Sequence, residues 1–179
     1  SEFKFVDIGS GKGKALLSWY LHTNSLNICG IESDKNLIEI CQSNFRILAG
    51  QEVNLIHADA AEIQYKDLSE NLVLFLYNPF GAEPMGRVIA RIEAALRQSP
   101  RAGYIVYYNP VHGRLFDECR AFTRRLAGDI AYAPEELGYG PDTFDPVVIW
   151  QCGTAPPPAQ PPQALRIEPE HEYRDIRVR

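Results

Sequence analysis

The chain has 179 residues, 45% of them hydrophobic and 23% charged, which fits one compact domain with a substantial core and argues against a disordered or membrane-embedded chain. Its formal net charge of −5 and pI of about 5.4 lack the basic excess of a protein that grips duplex nucleic acid, so a small molecule or a protein is the expected partner ahead of nucleic acid. No charged-then-apolar leader opens the chain and no apolar run approaches the roughly 20 residues of a membrane span, so no membrane partner is expected. Cys29, Cys41, Cys119 and Cys152 are scattered, with no CxxC pair and no histidine at ligand spacing, so no metal site is expected. Cys29 and Cys41 read as small core residues of a cytoplasmic protein in a reducing compartment.

Apolar runs alternate with helical patterns almost throughout. Phe3–Ile8 reads as a buried strand, 13–22 as a helix and 26–32 as a second strand. Lys35–Ala49 reads as a helix with Leu37, Ile40, Cys41, Phe45 and Leu48 on one stripe, followed by a strand at 53–58. Residues 60–70 are too short and polar for more than a loop or a single turn. Then come a strand at 72–77, a helix at 83–98, a strand at Ala102–Tyr108 and a helix at 113–126, on which Arg114, Arg120, Arg124 and Arg125 read as a solvated face. Strands at 129–133 and 147–152 close the series. This alternation specifies an α/β domain with a mainly parallel sheet, right-handed crossovers and helices on both faces. From 154 onward the chain turns Pro-rich and then charged, so the domain is expected to span 1–153 and a tail 154–179.

The sharpest local signal is Val6-Asp7-Ile8-Gly9-Ser10-Gly11-Lys12-Gly13, between the first strand and the first helix. Glycines there let the backbone take positive φ and let a ligand approach the main chain, and the amides at the helix start favour negative groups. A dinucleotide enzyme would show GxGxxG, with pyrophosphate on the loop; here the spacing is GxGxG and Asp7 stands in the strand end. A carboxylate in that place repels pyrophosphate and suits a ligand with an ammonium group beside its carboxylate, as in S-adenosylmethionine (SAM). Glu32 closes the second strand, where an acid accepts from ribose hydroxyls. Asp59, in His57-Ala58-Asp59-Ala60, closes the third, where an acid accepts from the adenine amino group.

Together these segments resemble the seven-stranded class I SAM-dependent methyltransferases over residues 3–152. Asp7 to Gly13 resembles their first motif, Glu32 their ribose-binding acid and Asp59 their adenine-contacting acid. The resemblance implies a doubly wound, seven-stranded sheet of order 3-2-1-4-5-7-6 with an antiparallel last strand. It also implies SAM as cofactor, held by Asp7, Gly9, Ser10, Gly11, Gly13, Glu32, Ser33, Asp59, Ala60 and Asn78. Many members carry helices ahead of the first motif that cover the cofactor; this chain opens directly on its first strand.

Asn78-Pro79-Phe80 follows the fourth strand and resembles the (D/N)PP(Y/F) turn of enzymes that methylate planar nitrogens, with Phe80 where the second proline would stand. It is also similar to the Asn-Asn-Phe turn of the Dot1-type lysine methyltransferases. The implied roles are catalytic: Asn78 orients a nucleophile, Pro79 stiffens the turn and Phe80 packs over the acceptor. A second Asn-Pro turn, Asn109-Pro110, follows the fifth strand, and Tyr77, Tyr107, Tyr108, Asn109 and His112 form an expected substrate rim. The function expected is methyl transfer to a nucleophile, preferably nitrogen, of a small molecule or protein. The alternatives are a catalytically idle SAM-fold module and, further off, a nicotinamide-dependent oxidoreductase. The glycines of 138–142 suggest a flexible connection before the last strand.

Overall fold

The computed structural model describes residues 3–68, 70–131 and 144–154; the expected loop at 138–142 and the tail beyond 154 lie outside them. The described chain forms β1 (Phe3–Ile8), α1 (Lys14–Thr23), β2 (Ile28–Glu32), α2 (Lys35–Ala49), β3 (Asn54–His57), β4 (Asn71–Tyr77), α3 (Ala82–Gln98), β5 (Ala102–Tyr108), α4 (Arg114–Glu118), β6 (Phe122–Ala131) and β7 (Phe144–Gly153). Between β3 and β4 a single 3-10 turn, at Tyr65–Asp67, interrupts the loop among the described residues. One seven-stranded sheet runs β3-β2-β1-β4-β5-β7-β6, parallel except for β7, which is antiparallel to both neighbours. This is the expected order. Because β1 to β5 are parallel, their carboxyl ends share one edge, and ligands of open α/β sheets bind at such an edge where the strand order reverses.

The central strands are buried on both faces, which is why they read as unbroken apolar runs. Leu72, Leu74, Leu76, Ile105, Tyr107, Val148 and Trp150 point to one face and pack against Met85, Val88, Ile89 and Ile92 of α3 and Phe116 of α4. Phe5, Ile28, Val73 and Phe75 point to the other and meet Leu16, Leu17, Cys41 and Phe45. Burying each of the large side chains contributes roughly 1.5–3 kcal/mol. On this second face Tyr104, Val106 and Ile149 are half-buried.

Two expectations need correction. In α2 only Cys41 and Phe45 are fully buried, while Ile40 and Leu48 are 40% and 64% exposed. The helix flanks the β2–β3 end of the sheet, and only its 41/45 line reaches Gly13, the α1 leucines and β2. The helix expected over 113–126 is five residues long and gives way to β6, which starts seven residues earlier in sequence than expected. A bulge between Arg124 and Leu126 breaks the strand's alternation, and the four-residue spacing of apolar Phe122 and Leu126 mimics a helical face. The arginines therefore share no helix face: Arg114 pairs with Glu118, Arg124 on β6 pairs with Asp117, and Arg125 Nε donates to Gln151 Oε1 at 2.6 Å.

Candidate active site

The loop after β1 is shaped by its glycines. Gly9, Gly11 and Gly13 have φ of 76°, 53° and 81°, values that cost an L side chain about 1–2 kcal/mol. Gly9 and Ser10 donate to the Ile31 carbonyl of β2 at 2.9 and 3.0 Å, which ties the loop to the neighbouring strand. A Cβ on Gly9 would meet Pro79 Cβ at 2.6 Å, whereas a Cβ on Gly11 would meet nothing within 4 Å. Gly9 is thus where the loop touches the Asn-Pro-Phe turn, and Gly11 faces open space. Gly30 in β2 is needed beneath the loop, since a Cβ there would meet Ser10 Oγ and Leu55 at 2.7 Å. A glycine inside a strand is the sequence signal for that role.

The three acids reach the same edge by different local means. Asp7 is 4% exposed, and no donor reaches its carboxylate among the described residues. Burial first, and the nearby Glu32 carboxylate second, push its carboxyl up to about 7. Glu32 is 9% exposed and accepts from three backbone amides: Gly11 N at 2.8 Å on Oε2, Ser33 N at 2.8 Å and Asp34 N at 2.9 Å on Oε1. Ser33 itself is exposed; its carbonyl lies 3.0 Å from His57 Nε2, tying the ends of β2 and β3. Asp59 is exposed and uses Oδ1 to cap the turn at Ala61 N, 2.8 Å away, leaving its second oxygen outward. Ala60 is buried and its carbonyl takes the Tyr65 hydroxyl at 3.1 Å.

At the ends of β4 and β5 the two Asn-Pro turns form a pair. Asn78 and Asn109 both adopt the left-handed region, with φ of 45° and 51°, which asparagine tolerates better than other non-glycine residues. The fully buried Tyr107 joins them. Its hydroxyl donates to Asn78 Oδ1 and accepts from His112 N, both at 3.4 Å, and Asn109 N donates to Pro146 O at 2.7 Å. Tyr107 therefore belongs beneath the site rather than on its rim. Phe80 is half-buried against the α3 side of the core, and Asn78 and Pro79 are also half-buried. Tyr77 is 56% exposed and meets Tyr108 edge-on with ring centroids 5.2 Å apart. His112 is half-buried at the start of the turn leading to α4.

The donor set fits SAM. The unpaired, buried Asp7 is a poor neighbour for phosphate and a good one for ammonium. Ser10 Oγ is buried without a hydrogen-bond partner, a polar group awaiting one. The open side of Gly11 lies next to Glu32, with the free oxygen of Asp59 further along the same edge.

Such a sheet, with acids at successive strand ends around a GxGxG loop, defines the class I methyltransferase fold. The sequence profile of the family described as "Methyltransferase domain" matches residues 5–99, more than half the chain and the whole segment from Asp7 through Phe80. The chain belongs to this family: it is a SAM-dependent methyltransferase, and SAM is its cofactor. No curated protein matches the sequence significantly. Among solved structures, magnesium protoporphyrin IX methyltransferase from Synechocystis PCC 6803 with bound SAM is similar at 8% identity and a TM-score of 0.57, over 84% of this chain and 70% of that one. TrmN from Thermus thermophilus is similar at 10% identity and a TM-score of 0.57, over 84% of this chain and 44% of that one. The cyclase SpnF is similar at 15% identity and a TM-score of 0.60, over 87% of this chain and 77% of that one. At such identities the likeness is one of fold, and a cyclase among the neighbours makes clear that fold alone does not choose an acceptor.

Proposed function

We propose that the protein transfers the methyl group of SAM to a nitrogen of a small molecule or a protein side chain, using the Asn78-Pro79-Phe80 turn to hold the acceptor. The observation that carries this reading is the contact between Gly9 and Pro79, which sets the acceptor turn directly against the cofactor loop. On this reading Asp7 accepts from the ammonium of SAM, and the backbone of Gly9, Ser10, Gly11 and Gly13 follows its amino-acid part. Glu32 and Ser33 face the ribose, and Asp59 and Ala60 the adenine. Of roughly four lone-pair sites on the Glu32 carboxylate, backbone amides use three, so its orientation is set before a ligand arrives.

The bound cofactor supplies a methyl carbon already activated by its sulfonium. What remains for the chain is positioning and desolvation of the nucleophile. Asn78 Oδ1 accepts from Tyr107 and keeps a second lone pair for an N–H of the acceptor. Pro79 and the left-handed φ of Asn78 hold that oxygen at the strand end, and Phe80 backs the turn. The four thiols are unpaired, which supports a cytoplasmic setting. Among the described residues no helix is long and apolar enough to cross a membrane.

Tritium-methyl transfer into fractionated lysate tests the proposal. Label is expected on amine-bearing small molecules or proteins. Asn78→Ala is expected to cut turnover about 100-fold at saturating SAM. Label appearing only on hydroxyl or carbon acceptors, or an Asn78→Ala variant of normal rate, would contradict it.

A further inference from the structure

Beyond the acceptor turn, the opposite face of the same strand ends carries a second arrangement. Tyr77 of β4 is paired in register with Tyr108 of β5, and Tyr108 with Val147 of β7. Side chains of directly paired residues lie on one face of a sheet, and so do residues two apart along a strand. Tyr77, Tyr108, Val147 and Asp145 therefore share the face away from α3, at the carboxyl edge. Tyr77 projects furthest into solvent, Tyr108 braces it edge-on at 5.2 Å, and Val147 is buried behind them. Asp145 is half-buried and forms no ion pair among the described residues. It is near enough to Tyr77 to oppose ionisation of the phenol, which burial already disfavours.

We infer that Tyr77, Tyr108 and Asp145 form a cation-recognition subsite that selects acceptors bearing a positively charged nitrogen, ammonium or quaternary. An aromatic ring with an exposed face and a carboxylate with no ion pair among the described residues both attract a cation, the ring through its quadrupole and the acid through charge. The same pair repels phosphate, which matches the acidic net charge of the chain. The recognised charge sits on the face opposite α3 and is separate from the reacting nitrogen at Asn78, so the subsite orders a bifunctional acceptor across the strand ends. This inference rests on the methyl-transfer reading for its meaning, but its binding test does not depend on turnover.

The test is binding of choline against its neutral isostere 3,3-dimethylbutan-1-ol, followed by NMR on the full chain with S-adenosylhomocysteine present and absent. Choline is expected to bind in the millimolar range and the neutral alcohol at least tenfold more weakly. Asp145→Asn is expected to lose about tenfold in choline affinity, Asp145→Glu to keep most of it, Tyr77→Phe to keep it and Tyr77→Ala to lose it. Equal binding of the two isosteres, no choline binding up to 100 mM, or an unchanged affinity in Asp145→Asn would overturn the inference. Since Asp145 lies on the far strand, SAM titration of the same variants separates this failure from failure of the cofactor reading. Intact SAM binding without choline discrimination sinks only the subsite, and choline discrimination without SAM binding sinks only the cofactor assignment.

Discussion

Asp7 is the residue on which the proposed cofactor contact and stability meet. Its carboxyl is raised from 3.8 to about 7 by burial and by Glu32. In the unfolded chain Asp7 loses its proton near pH 4, while in the folded protein it keeps it to about 7. The folded state therefore binds more protons across that window, and this group's contribution to stability falls as pH rises from about 4 to about 7, then levels off. Asp7→Asn removes the titration. Thermal melts of the apoprotein are expected to match wild type near pH 4 and to exceed it by roughly 5 °C at pH 8. The same variant is expected to lose SAM affinity at least tenfold. In the wild type, SAM affinity is expected to rise between pH 6 and 7.5, because an ammonium partner favours the ionised carboxyl and its own pKa lies near 7.7–8.0. Flat affinity across that range in a calorimetric titration would remove Asp7 from contact with the ammonium.

At the scale of the element, the glycine loop separates shape from function. Gly9→Ala drives a Cβ into Pro79 at 2.6 Å, and both atoms belong to stiff groups, so the β1 loop or the acceptor turn has to shift. Destabilisation of about 1–3 kcal/mol, read in urea denaturation, is expected. Gly11→Ala meets nothing within 4 Å and bears only the cost of its positive φ, about 1–2 kcal/mol. It is expected to fold while weakening SAM, since its methyl enters the open side of the loop; a Gly11→Ala protein with wild-type SAM affinity would place the ligand elsewhere. The spacing of this loop was legible because glycine is favoured where φ is positive and where backbone meets ligand. The Asn-Pro turns were legible for a similar reason, although their left-handed asparagines and the Tyr107 hydroxyl between them were not. A buried tyrosine in an apolar run shows nothing of what its far end will meet.

At the scale of the whole molecule, the parallel half of the sheet follows from the sequence because each buried strand is an apolar run and each crossover helix has an amphipathic period. The closing half was harder to read. β6 and β7 pair antiparallel, and the bulge at Arg124/Leu126 erased the alternation that marks a strand. Trp150, Phe116 and Phe122 then made a helix look better than it was: their rings pack at 4.9 and 5.3 Å around Phe116, a tertiary cluster that any local reading of period misses. The carboxyl edge spans these halves, with the proposed cofactor acids at the ends of β1, β2 and β3 and the proposed acceptor residues on β4, β5 and β7. On the proposed reading the molecule divides recognition by strand: the first three ends for the cofactor common to the family, the last for the acceptor particular to this chain.

That division stands or falls on what the glycine loop binds. The direct measurement is a calorimetric titration of the protein with SAM, repeated with NAD and with S-adenosylhomocysteine as competitor. The account predicts one SAM site per chain, displaced by S-adenosylhomocysteine and indifferent to NAD. Absence of binding at millimolar SAM, or binding of NAD that excludes SAM, would contradict it.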